Sequence, residues 1–535
     1  MSADVSGRLS GLPVRCVVAD MDLDQDQRPL LGGRGGRRLG GRGARYLARA
    51  AGPVNPAPPG QRGGQYTPLT DADLWAIYRT AKRLLADLGM GEVPARLRDD
   101  LLAAGAEARG DRILIPGALV EAAVDGAAKR FPLYGRDPAR DIEVGGDRVH
   151  FGTGGAAVQV LDMDSARYRS ATLQDLRDFT RLQDALENVS WFTRCCIATD
   201  VPGERELDLN TAFALLAHTT KPVATAFTVA DSVAPIVAMM DMALGREGAF
   251  AARPFVKAHI SPVISPMRYG ADAVDVVYAC IAHNIPMSCI TAAQSGATAP
   301  APLAGFLAQS LAETLASLVM VHAIRPGHPM VFSNWPLVVD LRTGAFSGGG
   351  GEVALLNAAS AQLSNWLGLP SGVAASMTDA KAIDAQYGME KGMTALAAGL
   401  AGGNLVYESA GMTAALLGAS FEGFVLDNEM LGAVYRVLRG VEVSEDTLGY
   451  DAIREAVLGE GHFLGSAQTH AAMERDYVYP RLADRTDPRS WQEAGAEDAW
   501  SRARTEARRI LSEHRPEYLS TAQARAIRDA FPELR

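Results

Sequence analysis

The chain has 535 residues, 48% of them hydrophobic, and a formal net charge of −10. That length holds two or more domains with a large core. The acidic balance excludes a general nucleic-acid binder, whose phosphate contacts need a basic surface.

The five cysteines, Cys16, Cys195, Cys196, Cys280 and Cys289, contain no CxxC pair. They read as free thiols of a cytoplasmic protein. No run reads as a membrane span of ~20 apolar residues, and no secretory signal is apparent at the N-terminus.

Residues 1–68 mix Gly with Arg in "LGGRGGRRLGGRGARYLAR" and Pro with Gly in "GPVNPAPPGQRGG". Such segments bury too little apolar surface to offset their ordering entropy, and they predict a flexible arm. Thr70 is placed to cap a helix over 71–88, in which Leu74, Ile77, Tyr78, Ala81, Leu84, Leu85 and Leu88 follow helical spacing; Gly89 ends it. A second helix starts near Pro94. In "DRILIPGALVEAAVDGAAKR" a short strand precedes a helix opened by Pro116. Residues 69–147 therefore read as a helical N-terminal region.

From 148 one unit recurs: a short β-branched run, a polar or Gly-rich turn, and a long Ala/Leu-rich helix. Strands are predicted over 148–153, 191–197, 223–228, 255–262, 286–291, 329–334, 372–377 and 404–409, starting 31 to 43 residues apart. Helices include 173–186 and 303–324. Eight successive βα units predict an α/β fold, a closed (β/α)8 TIM barrel over 148–446. Residues 156–172 read as a hairpin inserted after the first strand, 423–440 as the closing helix, and 447–535 as a helical C-terminal region.

In such a barrel the strand carboxy ends carry the site. The loop "NWPLVVDLRTGAFSGGGGE", residues 334–352, is too polar for a core and too apolar for a solvated linker. It offers Trp335, Asp340, Arg342 and Phe346. Equally, Asp340 and Arg342 read as a pair with each other, and the two aromatics as packing. Further strand ends supply Gln294, Asp379 and the Tyr407-Glu408 step, with Asp384 and Tyr387 close behind. Neighbouring strand residues face opposite ways, so one of Tyr407 and Glu408 points into the barrel mouth. The glycine runs match no phosphate-binding pattern and read as turns. The nine histidines form no HxH or HExxH, and no GxSxG occurs, so neither a zinc site nor a serine hydrolase is expected. Lys257, inside a strand, is a candidate for a Schiff base with a carbonyl substrate.

Several long stretches, in order, are similar to the trimethylamine methyltransferase family. They include "FGTGGAAVQVLD", "SGATAPAPLAGFLAQSLAETLA", "VVDLRTGAFSGGGGEVALLNAASAQL", "SMTDAKAIDAQYGMEKGMTAL" and "VLDNEMLGAVYRVLRGVEV". The resemblance implies a barrel that passes a methyl group from a methylated amine to the Co(I) of a corrinoid (cobalamin). A separate partner protein carries that corrinoid, and this chain binds no metal. The chain contains only standard residues, so it is similar to the group lacking pyrrolysine, some of whose members demethylate glycine betaine. For such a substrate Trp335, Phe346, Tyr387 and Tyr407 are the candidate cation–π faces. Asp340, Asp379, Asp384 and Glu408 are the candidate acids, Arg342 the clamp for a carboxylate, and Gln294 a further polar contact. No catalytic residue is assigned. A homo-oligomer without membrane contact is expected. The rival readings are a Schiff-base lyase using Lys257 and a non-catalytic betaine-binding protein.

Overall fold

Short β-branched runs alternating with long Ala/Leu helices place every strand between two apolar layers, and the chain folds accordingly. The computed structural model describes residues 55–155 and 157–535. Eight parallel strands form the main sheet: β1 (His150–Phe151), β2 (Phe192–Thr193), β3 (Val223–Thr225), β4 (Val256–Ile260), β5 (Met287–Thr291), β6 (Met330–Asn334), β7 (Ser371–Ala374) and β8 (Leu405–Tyr407). Each is followed by a helix: α1 (Leu173–Asp184), α2 (Glu204–His218), α3 (Val233–Leu244), α4 (Ala271–Ala282), α5 (Leu303–Ile324), α6 (Gly351–Trp366), α7 (Ala385–Leu400) and α8 (Phe421–Arg439). All eight predicted strands are present, each shorter than its predicted range.

Neighbours in sequence are neighbours in the sheet from β2 to β8, and β8 then pairs with β1. A parallel bridge between Gly152 and Trp191 joins β1 to β2, so the two ends of the sheet meet. Burial on both faces explains why the strands read as continuous apolar runs. One hydrophobic cluster lies between strands and helices, and a second fills the enclosed face with Trp191, Ile290, Val331, Trp335, Leu405 and Tyr407. The second cluster includes Phe131, Leu133 and Val144 of the hairpin Arg130–Leu133/Ile142–Gly145. That hairpin packs toward the strand amino ends, leaving the carboxy ends to carry a site.

The predicted insertion after β1 is a hairpin, Gln159–Leu161 with Tyr168–Ser170. Gly418–Ser420, from the loop after β8, pairs parallel with Gln159–Leu161 and makes a four-stranded sheet. Helix starts follow local chemistry. Thr70 and Asp73 form a capping box on the helix Asp71–Asp87, and Thr172 and Asp175 do so on α1.

Three expectations need correction. The arm predicted over 1–68 lies largely outside the described residues, but 55–68 are pinned. Gly60 and Gly63 donate backbone N–H bonds to the carbonyls of Val149 and Asp147, and Gly64 and Tyr66 to that of Leu400. Low apolar content did not prevent ordering there, because backbone hydrogen bonds to the main domain replace a local core. The region 69–147, read as mostly helical with one short strand, carries two hairpins besides its helices. Finally, the 22-residue helix α5 is long and apolar enough to cross a membrane. Of its most apolar window, 83% is buried against other elements, which makes it a central packing helix of this fold.

Candidate active site

Alternation along β4 sets the lower layer of the site. Val256, Ala258 and Ile260 pack in the outer cluster, so Lys257 and His259 face the enclosed side. Lys257 Nζ lies 2.7 Å from Tyr407 OH and 3.1 Å from Ser288 Oγ, above the rings of Trp191 and Tyr407. Burial drives its amine well below the ordinary lysine value and pushes the Tyr407 phenol up. The Tyr407 ring has room because position 372 is Gly, where a Cβ would stand 3.1 Å from Tyr407 Cε2 and overlap Ser333 Oγ.

Above this layer four rings meet. The Tyr407 ring centroid is 4.6 Å from that of Trp191, 4.8 Å from Trp335 and 5.5 Å from His259, and His259 lies 5.5 Å from Trp335. Burial, then the charges of Lys257 and Arg194, hold His259 well below its usual pKa, so it is neutral at physiological pH.

Glu408 follows Tyr407 with a backbone φ of +64°, in the left-handed region. A non-glycine residue held there stores strain, a pattern common at functional sites. Its carboxyl is buried, and Oε2 has no hydrogen-bond partner. Burial pushes its pKa up to about 8, against the opposing pull of Lys391. Lys391 Nζ is 3.3 Å from Asp427 Oδ2 and donates to the carbonyls of Ser376 (2.6 Å) and Glu408 (3.3 Å). Asp427 also accepts from Tyr387 OH and the Gly411 N–H, each at 2.7 Å. Burial pushes Asp427 up and Lys391 down, while their mutual attraction opposes both shifts.

Several of the buried polar atoms without partners lie at the strand carboxy ends. They include Nε and Nη1 of Arg194 after β2, Nδ1 of His259 on β4, Oγ1 of Thr291 ending β5, Nε1 of Trp335 after β6 and Oε2 of Glu408 after β8; others lie on helices. An orphaned buried donor or acceptor costs about 1–3 kcal/mol. Five such residues, at the ends of β2, β4, β5, β6 and β8, mark a place where a ligand or water supplies the missing partners. Among the described residues, no group of three or more His, Cys, Asp or Glu stands where it could hold a metal ion.

The residues singled out from sequence divide into two sets. Trp335 and Tyr407 meet in the ring cluster, and Glu408 follows Tyr407 in the chain. Tyr407 packs among the rings, and Glu408 turns toward the first βα loop, so the pair splits as alternation requires. Of the others, all but Phe346 lie elsewhere. Asp340 and Arg342 pair with each other at 2.9 Å on the loop joining Val338–Val339 to Phe346–Ser347, with the Arg342 side chain 88% exposed. Phe346 is half-buried and packs against the enclosed cluster. Asp379 accepts from Ser347 Oγ (2.9 Å) and the Gly348 N–H (2.6 Å), tying the loops after β6 and β7. Asp384 is exposed and caps α7. Tyr387 is buried between α7 and α8, beside a cleft of about 590 Å³ walled by Leu426, Met430 and Trp500. The N–H of Gln294 is taken by Thr298 Oγ1, and its backbone bridges Leu337. Sequence reading passed over Trp191, Arg194, His259, Lys391 and Asp427. The signal for His259 was present, since it shares Lys257's face of the strand. That for Lys391 and Asp427 was a charge inside each helix's apolar stripe.

The fold is an α/β one in which eight parallel strands present a candidate site at their carboxy ends. The chain belongs to the trimethylamine methyltransferase (MTTB) family, which it matches over residues 38–533, and it is a methyltransferase. It is 28% identical to the glycine betaine methyltransferase of Desulfitobacterium hafniense (strain Y51), over 85% of this chain and 95% of that one. It is 30% identical to a trimethylamine methyltransferase of Methanosarcina barkeri, over 83% of this chain and 90% of that one. Among solved structures it is similar to the Methanosarcina barkeri monomethylamine methyltransferase, with a TM-score of 0.43 and 13% identity, over 88% of this chain and 97% of that one.

Proposed function

We propose that this chain transfers a methyl group from a quaternary or N-methylated amine, glycine betaine foremost, to the Co(I) of a corrinoid carried by a separate protein. The observation that carries the reading is the buried Glu408 carboxyl with an unpartnered Oε2, next in the chain to Tyr407 of the ring cluster that also holds Trp335, Trp191 and His259. Aromatic faces and one desolvated acid are the chemistry that holds an alkylammonium group. In the transfer the C–N bond breaks and its electron pair stays on nitrogen. A quaternary ammonium therefore leaves as a neutral amine and needs no proton from the protein. The chain's task is to grip the nitrogen and aim one N–CH3 outward along the strand ends. The orphaned guanidinium nitrogens of Arg194 are the proposed partner for the carboxylate of glycine betaine. They take the role that the sequence assigned to Arg342.

The same reading takes the sheet to be the closed (β/α)8 barrel expected from the βα count, with the Gly152–Trp191 bridge as its support. Its carboxy-end mouth is then the docking face for the corrinoid protein. Lys257 fits a Schiff-base lyase poorly. Its amine is enclosed beneath the aromatic layer, with Tyr407 OH and Ser288 Oγ as neighbours. The test supplies Co(I) cobalamin with a panel of betaines and methylamines and follows methyl–cobalt absorbance. Absorbance with a methylated amine supports the proposal. Tight amine binding with no transfer would instead make this a binding protein, and borohydride trapping of a carbonyl substrate would restore the lyase.

A further inference from the structure

A groove on the flank of the fold is out of keeping with a chain of net charge −10. It has a volume of about 570 Å³ and four arginines in its walls, Arg177 and Arg181 from α1 and Arg515 and Arg528 from the C-terminal stretch 511–535. Local structure brings them together. Arg177 and Arg181 stand four residues apart on one face of α1. Both hold the C-terminal stretch by its backbone. Arg181 Nη1 donates to the carbonyls of Leu511 (3.3 Å) and His514 (3.4 Å), and Arg177 Nη2 donates to that of Arg535. The docked stretch carries Arg515 to the groove and, on the helix Thr521–Ala530, Arg528, whose guanidinium lies 5.0 Å from the centre of the Phe213 ring on α2. Little of this charge is neutralised. Arg181 has Asp178 at 2.5 Å, but among the described residues Arg177, Arg515 and Arg528 have no carboxylate within 4.0 Å. Burial, then the neighbouring Arg528, lower the Arg177 pKa from its ordinary value against the pulls of Asp200 and Asp178. His218, which ends α2, lines the same groove, and its Nδ1 is buried without a partner. Burial, then the charges of Arg181 and Arg177, push its pKa down to about 4. It is therefore neutral at pH 7 and keeps one N–H donor.

We propose that this groove binds a small phosphate-bearing molecule, held by Arg177, Arg515 and Arg528. Four arginines against two carboxylates, Asp178 and Glu517, leave an excess of positive charge. A phosphate group carries about −1.5 to −2 near pH 7 and neutralises that excess. The planar guanidinium fork matches two phosphate oxygens at once. The volume falls in the range of about 300–1,000 Å³ typical of small-molecule sites. A nucleic acid or a membrane needs a broad basic face, whereas this charge is recessed in an otherwise acidic chain. None of the lining residues belongs to the ring cluster or to the surroundings of Glu408, so the groove is separate from the candidate active site. One wall is α1 and the other the C-terminal stretch, so the ligand bridges the two and stabilises their docking by mass action.

The test titrates pyrophosphate into the full chain at low ionic strength by isothermal calorimetry, with the double variant Arg515→Gln/Arg528→Gln beside it. Both side chains are exposed, so the variant keeps its fold, which far-UV circular dichroism checks. The wild type is expected to bind one pyrophosphate per chain, and the variant at least about tenfold more weakly. Pyrophosphate should also raise the melting temperature of the wild type more than that of the variant, and potassium chloride at the same ionic strength should not reproduce the rise. No binding by the wild type at millimolar pyrophosphate overturns the proposal. Equal affinity in the variant, or an equal rise with chloride, overturns it too. Co-sedimentation of the wild type with phosphatidylglycerol vesicles, without any response to pyrophosphate, would assign the arginines to a membrane surface and likewise overturn it.

Discussion

The Glu408 carboxyl occupies the space that a side chain on Gly154 would fill, with both oxygens overlapping the position of the missing Cβ. The loop after β1 thus makes room for an acid delivered from β8. Gly154→Ala should push that acid out of place while leaving the strands intact. Amine affinity, read by isothermal titration, should fall by at least about tenfold, or about 1.4 kcal/mol. Unchanged affinity would remove Glu408 from the site.

The pH dependence of binding follows from the same group. Burial raises the Glu408 pKa to about 8, so the carboxyl is mostly neutral at pH 7 and an anion above pH 8. A quaternary ammonium does not titrate. Its affinity should therefore rise with pH through about 8, and fall by about tenfold per unit well below it. In Glu408→Gln the dependence should vanish. A flat profile in the wild type would mean that the cation is held by the rings alone.

Arg194 and Arg342 are separable by substrate choice. Arg342→Ala should leave both affinity and stability unchanged, because that guanidinium is exposed and its partner Asp340 sits two residues away. Arg194→Leu should weaken binding of glycine betaine by about tenfold or more while sparing amines without a carboxylate. Equal losses for both substrate types would point to a packing role for Arg194.

The Lys391–Asp427 pair should behave as a buried ion pair does. Removing one partner by Lys391→Met strands a charge among side chains only 1–2% exposed and should cost about 3–5 kcal/mol. The double change Lys391→Met/Asp427→Asn should cost less than the sum of the two single changes by at least about 1 kcal/mol. Urea unfolding of the four proteins measures this. Strict additivity would show that the two groups do not share a charge.

Much of the fold was legible because its signals are local. Each strand is a short β-branched run and each helix a long apolar one, and the 31 to 43 residue spacing counts the units. The candidate site was legible only in part. Trp335, Tyr407 and Glu408 were picked by position, as residues at or just after strand ends, and the first two share one ring cluster. Asp340, Arg342, Asp379 and Asp384 share that position but spend their polar atoms on loop and cap contacts, and no local pattern distinguishes a satisfied carboxylate from an orphaned one.

By itself the sequence determined the period, the family likeness and the list of strand ends, since periodicity and motif are properties of neighbours along a chain. Only the tertiary structure decided which groups converge. Tyr407 lies 150 residues from Lys257 and Glu408 far from Gly154, and burial, which raises the pKa of one acid and lowers that of one lysine, is a property of everything packed around a group. Hydrogen-bond satisfaction is decided at the same distance, so the orphaned atoms of Arg194, His259 and Trp335 became visible only once eight strands had brought their ends together.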